Sequence, residues 1–155
     1  MKFSTREDIA APIERVFDAL SDFPRFEREI LRRGASVSRI DTLERPGPGM
    51  CWISRFTFRG KPREVRSELA EYHPSESLRL LSRVDGLEGV MSVALVQLSP
   101  RQTRMFLDLE LKPATLSARL FLQSLRLAKA TLTRRFKSGT QDFARHIEDR
   151  LNGPQ

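Results

Sequence analysis

Hydrophobic and polar positions divide the chain into two regimes. Up to Leu111 the apolar residues recur mostly at every second position, in short blocks separated by Pro, Gly and Asp. Across residues 114–151 they recur at every third or fourth. A period of two marks strands with one buried face, and a period near 3.6 marks an amphipathic helix. Residues 2–10 alternate with Phe3, Thr5, Glu7 and Ile9 on one side and read as a first strand. After Ala11-Pro12, residues Ile13, Val16, Phe17 and Leu20 fall at helical spacing. Pro12 suits the first turn of that helix, where its missing N–H is not needed. Ser21-Asp22 interrupts it, and Asp22 is placed to cap a second helix. There Phe23, Phe26, Ile30 and Leu31 line one face and Gly34 forms the C-terminal stop.

From residue 35 the period returns to two, with Val37, Arg39 and Asp41 alternating with Ser38, Ile40 and Thr42. Arg45-Pro46-Gly47-Pro48-Gly49 is the strongest turn signal in the chain. Residues 50–58 form a strand with Met50, Trp52, Ser54, Phe56 and Phe58 on one face, which points Arg55 outward. Arg59-Gly60-Lys61 turns the chain into a long, highly charged strand over residues 63–73, whose outer face is expected to be solvated. Leu78, Leu80, Ser82 and Val84 mark the next strand, and Asp85-Gly86 is a hairpin signal. Residues 89–98 and 104–111 form a last hairpin around Ser99-Pro100-Arg101-Gln102, with Met105, Leu107, Leu109 and Leu111 on one side and Phe106, Asp108 and Glu110 on the other. The strand over 89–98 is apolar on both faces, so its register is ambiguous. Pairing across Asp85-Gly86 turns Met91, Val93 and Leu95 inward; pairing across Pro100-Arg101 turns Val90, Ser92, Ala94 and Val96 inward. A bulge or a longer turn must reconcile the two.

The C-terminal third reads as one long helix. Phe121, Leu125, Ala128, Leu132, Phe136, Gly139, Phe143 and Ile147 fall within one arc at 100° per residue. Ala128 and Gly139 are small, and would leave space between helix and sheet; Gly139, costing about 1 kcal/mol against Ala, could instead mark a kink. Leu116, Leu120 and Leu127 lie on a second face, flanked by Arg119, Arg126 and Arg134. Strand, two short helices, about six antiparallel strands and a long helix give the α+β class: a sheet wrapped around one helix, with room for an apolar cavity.

Composition narrows the function classes. At 155 residues the chain has the length of a single domain. It carries 39% hydrophobic and 30% charged residues, and no apolar run approaches a membrane span. The N-terminus has no secretory h-region, and the lone Cys51 fits a reducing compartment, so a cytoplasmic location is expected. The net charge of +7 raises the question of nucleic acid. The sheet, however, offers no set of surface aromatics for base stacking, so nucleic acid is not an expected partner. The charge is uneven: no acidic residue lies between Glu110 and Asp142, while Lys112, Arg119, Arg126, Lys129, Arg134, Arg135 and Lys137 do. Apolar and basic residues together on a helix surface point to transient membrane contact through Leu116, Leu120, Leu127, Arg119 and Arg126. Cover for the sheet, or a face of a homodimer, is the alternative. His73 and His146 with one Cys make no convincing metal site. The chain carries no nucleophile motif, P-loop or glycine fingerprint, and Asp108 and Glu110 lie on the outer face. No catalytic residue, metal or cofactor is expected.

The order of elements and the run Asp8-Ile9-Ala10-Ala11-Pro12-Ile13-Glu14-Arg15-Val16-Phe17-Asp18-Ala19-Leu20-Ser21-Asp22-Phe23-Pro24-Arg25-Phe26 resemble the START-like, or SRPBCC, helix-grip superfamily. There a first strand leads through a small-residue and Pro turn into a helix with a Val-Phe or Val-Trp pair, followed by an Asp and an aromatic. The Gly60 turn and the Tyr72-His73-Pro74 strand end are also similar, and the resemblance spans nearly the whole chain. It implies a curved sheet of about seven strands gripping the C-terminal helix around an apolar cavity. It implies too a ligand such as a lipid, quinone or polyketide. The function expected is binding or transport of a small hydrophobic ligand by a monomer or homodimer. An aromatase/cyclase-type enzyme and a regulatory interaction module are the alternatives. Trp52 and Phe56 are the leading cavity candidates, with Ser54 and Ser82 as its polar groups. Leu80, Met91, Leu107 and Leu109 join them from the sheet, and Leu125, Ala128 and Leu132 from the helix.

Overall fold

The computed structural model describes residues 1–153. Its elements run β1 (Lys2–Ile9), α1 (Ile13–Leu20), α2 (Phe23–Arg32), β2 (Ser36–Arg39), β3 (Cys51–Phe58), β4 (Lys61–His73), β5 (Ser77–Val84), β6 (Leu87–Ser99), β7 (Gln102–Pro113), α3 (Leu116–Arg126) and α4 (Lys129–Asn152). The strands form one seven-stranded sheet in the order β1-β7-β6-β5-β4-β3-β2, antiparallel at every step. Successive strands from β2 to β7 are neighbours, and β1 returns to pair with β7. The expected α+β helix-grip architecture is what the chain forms.

The ambiguity of β6 is resolved in favour of the Asp85-Gly86 hairpin. Both turn residues have positive φ, 49° and 75°, as a type I′ turn requires. Val84 pairs with Leu87, Leu80 with Met91 and Leu78 with Val93. Val93 and Leu95 are therefore buried, while Val96 and Leu98 are exposed. At the other end the register with β7 shifts between Gln97 and Ser99. One extra residue, Leu98, lets the tight Pro100-Arg101 turn coexist with the inward face set at Gly86.

The outer face of β4 is solvated as expected, with Arg55 and Glu64 pairing across strands at 3.0 Å and Arg79 and Glu71 at 3.5 Å. Inward, Ile9, Val16, Phe17, Met50, Trp52, Leu69, Met105, Ala144 and Ile147 form the buried core. Buried Thr103 donates its hydroxyl hydrogen bond to the Ala11 carbonyl at 2.8 Å and ties the turn before α1 to β7.

The single helix expected over residues 114–151 is two helices. Thr115 caps α3, its side chain accepting from the Ala118 N–H at 3.1 Å. The helical ladder tightens at the other end: Leu127 N–H bonds Ser124 O at 3.4 Å and Ala128 N–H bonds Leu125 O at 3.0 Å, both three residues back. The Ser124 hydroxyl meanwhile takes the Phe121 carbonyl at 2.7 Å, the kind of local side-chain bond that competes with a helix interior. α4 then starts at Lys129 and runs through Gly139 to Asn152 without a second interruption, so Gly139 marks no break. The break also changes which residues face inward. In α3 these are Ala118 and Leu122, whereas Phe121, placed in the apolar arc by sequence, is 36% exposed.

Candidate functional site

Between the concave face of the sheet, α2 and the middle of α4 lies a cavity of about 580 Å³. The sheet contributes Val37 from β2, Trp52 and Ser54 from β3, Ser67 and Leu69 from β4, and Leu78 and Leu80 from β5. Met91 and Val93 from β6, with Met105 and Leu107 from β7, complete that wall. These positions alternate along their strands, and the register brings them into cross-strand rows: Trp52 opposite Ser67, Leu69 opposite Leu80, Leu80 opposite Met91, Val93 opposite Leu107. The helical side is Leu20 at the end of α1, Phe23, Phe26, Glu27 and Ile30 on α2, and Arg135, Phe136, Gly139, Thr140 and Phe143 on α4.

Three aromatic contacts join the walls. The Phe23 and Trp52 rings lie 5.3 Å apart between centroids, Phe26 and Phe143 6.2 Å, and Phe3 and Phe136 5.7 Å. None of the α2 residues is fully buried, because its apolar face looks onto the cavity rather than into packed side chains. At Gly139, which lines the cavity, an added methyl group would meet nothing within 4 Å.

The lining is apolar apart from a few side chains, and most of those are already bonded. Trp52 donates its indole N–H to Glu27 Oε1 at 2.9 Å. The Ser67 and Ser82 hydroxyls bond each other at 2.8 Å. Thr140 donates to the Phe136 carbonyl at 2.8 Å. Just outside the cavity, Arg39 ion-pairs with Asp41, whose carboxylate also accepts from the N–H groups of Leu43 at 3.0 Å and Cys51 at 2.9 Å. The Arg39 guanidinium and then the Cys51 and Leu43 N–H groups hold the Asp41 carboxyl far below its ordinary range. This cluster fixes the loop between β2 and β3 and so supports Trp52.

Of the residues expected at a ligand site, Trp52, Ser54, Leu80, Met91 and Leu107 line the cavity. Ser82 stands one residue behind the wall, as the partner of Ser67. Phe56 pairs with Arg63, two residues beyond Ser54 along β3. Leu109 pairs with Phe3, at the end that the Phe3–Phe136 contact closes. Leu125, Ala128 and Leu132 lie in α3, at the break and in the first turn of α4, upstream of Arg135 where the cavity begins. Sequence reasoning overlooked Phe23, Phe26, Glu27 and Ile30. Their amphipathic stripe on a short helix reads as core, and nothing in a stripe separates core from cavity wall. Among the described residues no three His, Cys, Asp or Glu side chains gather as a metal-binding group, and no helix is long and apolar enough to cross a membrane.

A seven-stranded antiparallel sheet holding a long C-terminal helix across an apolar cavity defines a helix-grip protein of the START-like (SRPBCC) type. The sequence profile of the family described as polyketide cyclase/dehydrase and lipid transport matches residues 1–148, and the chain belongs to that family. Among solved structures, the fold is similar to the Zhui aromatase/cyclase of Streptomyces sp. R1128, with 11% identity, 99% of this chain and 96% of that one covered, and a TM-score of 0.67. It is similar also to a protein of Thermus thermophilus, at 17% identity, coverage of 95% and 97%, and a TM-score of 0.66. A START superfamily protein of Mycobacterium smegmatis matches at 17% identity, with coverage of 86% and 95% and a TM-score of 0.53. At these identities the likeness concerns the fold. No curated protein matches the sequence.

Proposed function

We propose that the protein binds or carries one small hydrophobic ligand in the cavity between the sheet, α2 and α4. The observation that carries this reading is the cavity's chemistry. Its volume of about 580 Å³ falls within the roughly 300–1,000 Å³ typical of small-molecule sites. Its walls are mostly Leu, Phe, Met and Val, and most of its polar side chains are spent on bonds within the protein. Side chains that face empty space forgo dispersion contacts that close packing would give them; an apolar ligand restores those contacts. Trp52, Ser54, Leu80, Met91 and Leu107 contribute the sheet side of the site, and Phe23, Phe26, Phe136 and Phe143 the helical side. Native mass spectrometry of protein isolated from its host, together with titration of a fluorescent apolar probe, tests this. A co-purifying mass that organic extraction removes, or saturable 1:1 probe binding, is expected. Absence of both overturns the reading.

A second element of the reading concerns how such a ligand is exchanged. Leu116, Leu120 and Leu127 are 70%, 57% and 94% exposed. They share the face of α3 opposite the buried Ala118 and Leu122, beside exposed Arg119 and Arg126. With no acidic residue over positions 111–141, this surface complements an anionic bilayer, which takes up the leucines and pairs with the arginines. Wild-type protein is expected to float with phosphatidylglycerol-containing liposomes and less with phosphatidylcholine alone. Leu120→Asp with Leu127→Asp should abolish flotation without affecting the apolar probe. Wild-type protein that stays unbound to anionic liposomes overturns this element and leaves the cavity reading intact.

A further inference from the structure

We propose that the ligand is an amphiphile with an anionic oxygen-bearing end, a carboxylate or phosphate, held by the guanidinium of Arg135 at the rim of the cavity. This deepens the ligand-binding reading and rests on it. The argument begins with elimination among the polar side chains of the lining. Ser67 is satisfied by Ser82, Thr140 by the Phe136 carbonyl, and the Trp52 indole by Glu27; Ser54 is a neutral hydroxyl that places no charge in the lining. Arg135 is the charged donor of the lining for which no hydrogen bond or ion pair is found among the described residues. It is at the same time exposed to solvent and in contact with the cavity, which places it at the opening. A guanidinium there presents a planar fork of N–H donors that matches a carboxylate or phosphate.

The surroundings reinforce the sign. Arg134 and Lys137 flank Arg135, and the nearest acid along α4 is Asp142. Glu27 is the one carboxylate in the lining. Its Oε1 is engaged by Trp52. The carboxylate of the lining thus has a hydrogen-bond donor within the protein, while Arg135 has no acceptor among the described residues. A ligand with an apolar body and an anionic end supplies both what the walls and what Arg135 lack. A neutral ligand would leave the guanidinium to water, and a cationic one would meet it as a like charge.

The test compares matched probes: cis-parinaric acid, its methyl ester and a primary alkylamine of the same length, with hexadecyl phosphate as a competitor. Wild-type protein is expected to bind the acid about tenfold more tightly than the ester, the effect of roughly one charge-assisted hydrogen bond at a partly exposed site. Displacement by hexadecyl phosphate marks phosphate as an acceptable end, and its failure to compete narrows the ligand to carboxylates. Arg135→Gln should remove the preference while ester affinity, which reports an intact cavity, stays unchanged. Arg134→Gln and Lys137→Gln remove the same charge outside the lining and should keep the preference. Equal binding of acid and ester by wild type, tighter binding of the amine, or an equal loss in Arg134→Gln overturns the anionic-end proposal but leaves the cavity reading standing. Binding of none of the probes overturns both.

Discussion

Gly139 is the position where the helix, the cavity and the stability of the fold can be separated by substitution. It lies in the interior of the 24-residue helix α4. It is not among the residues with positive φ, so its backbone is one that alanine adopts freely. A Cβ there meets nothing within 4 Å. Gly139→Ala therefore adds no clash and removes the entropic cost of glycine, a gain of about 1 kcal/mol in a helix interior. For a chain of this length that corresponds to a rise in melting temperature of about 2–4 °C. With a urea m-value of about 1–3 kcal/mol/M it moves the unfolding midpoint by about 0.3–1 M. The expected result is a higher midpoint at unchanged m, with apolar-probe binding retained. A lower midpoint, or a changed m, would refute the reasoning, since α4 would then depend on the freedom of glycine as a hinge. Gly139→Phe completes the experiment: the ring extends into the space next to Phe136 and Phe143. It should abolish probe binding while the protein remains folded by circular dichroism. Undiminished binding would mean that the ligand does not occupy this cavity.

Three further outcomes are expected from other parts of the structure. Trp52→Phe withdraws the indole N–H from the half-buried Glu27 and should cost about 1–3 kcal/mol; in a double-mutant cycle with Glu27→Gln the two losses should be less than additive, and strict additivity would show that the bond contributes nothing. Gly86→Ala puts a Cβ 2.4 Å from Thr115 Oγ1 at a residue with φ 75°. It should destabilise by about 2–3 kcal/mol through αL strain and loss of the α3 cap, and by more than Thr115→Ala alone. Denaturant unfolding of both variants checks the order. The folded-state carboxyl of Asp41 is depressed by Arg39 and the Cys51 and Leu43 N–H groups, so its contribution is complete above the unfolded carboxylate value near 4 and fades as the pH falls below that. The stability difference between wild type and Asp41→Asn should therefore be constant from about pH 6 to 8 and shrink below about pH 4. A difference that stays the same down to about pH 3 would assign it to shape rather than charge.

The strands were legible in the sequence where one face is wet. In β4 Glu64, Arg66 and Glu68 alternate with inward Val65, Ser67 and Leu69, and a bulge at Ala70 then shifts the phase, while β6 is apolar on both faces and offers two registers. What decided β6 was a local turn: Asp85 and Gly86 both adopt positive φ, and the cost of that backbone fixes the phase of the strands on either side. The helix break was harder to read. Leu127 and Ala128 are good helix formers and no Pro or Gly stands nearby; the Ser124 hydroxyl bonds the Phe121 carbonyl at the break, but Thr140 bonds the Phe136 carbonyl inside unbroken α4, so such a hydroxyl does not by itself announce a break. Carrying the apolar arc straight through that break is what placed Leu125, Ala128 and Leu132 beside the cavity, whereas the arc reaches it only from Phe136 onward.

Aromatic contacts between elements frame the cavity. Phe23 on Trp52, Phe26 on Phe143 and Phe3 on Phe136 are contacts between elements, and they set how closely α2 and α4 approach the sheet. The lining also holds small side chains, Ser54 and Ser67 on the sheet and Gly139 on α4. A uniform stripe of leucines on the same backbone would interdigitate at native density and leave no void. Polarity alone therefore does not tell a packed core face from a cavity wall. The same reasoning explains why α2 has an apolar face yet no fully buried residue. It is held by one aromatic contact to the sheet, Phe23 on Trp52, and one to α4, Phe26 on Phe143, and is left open between them, where an apolar ligand would complete its packing.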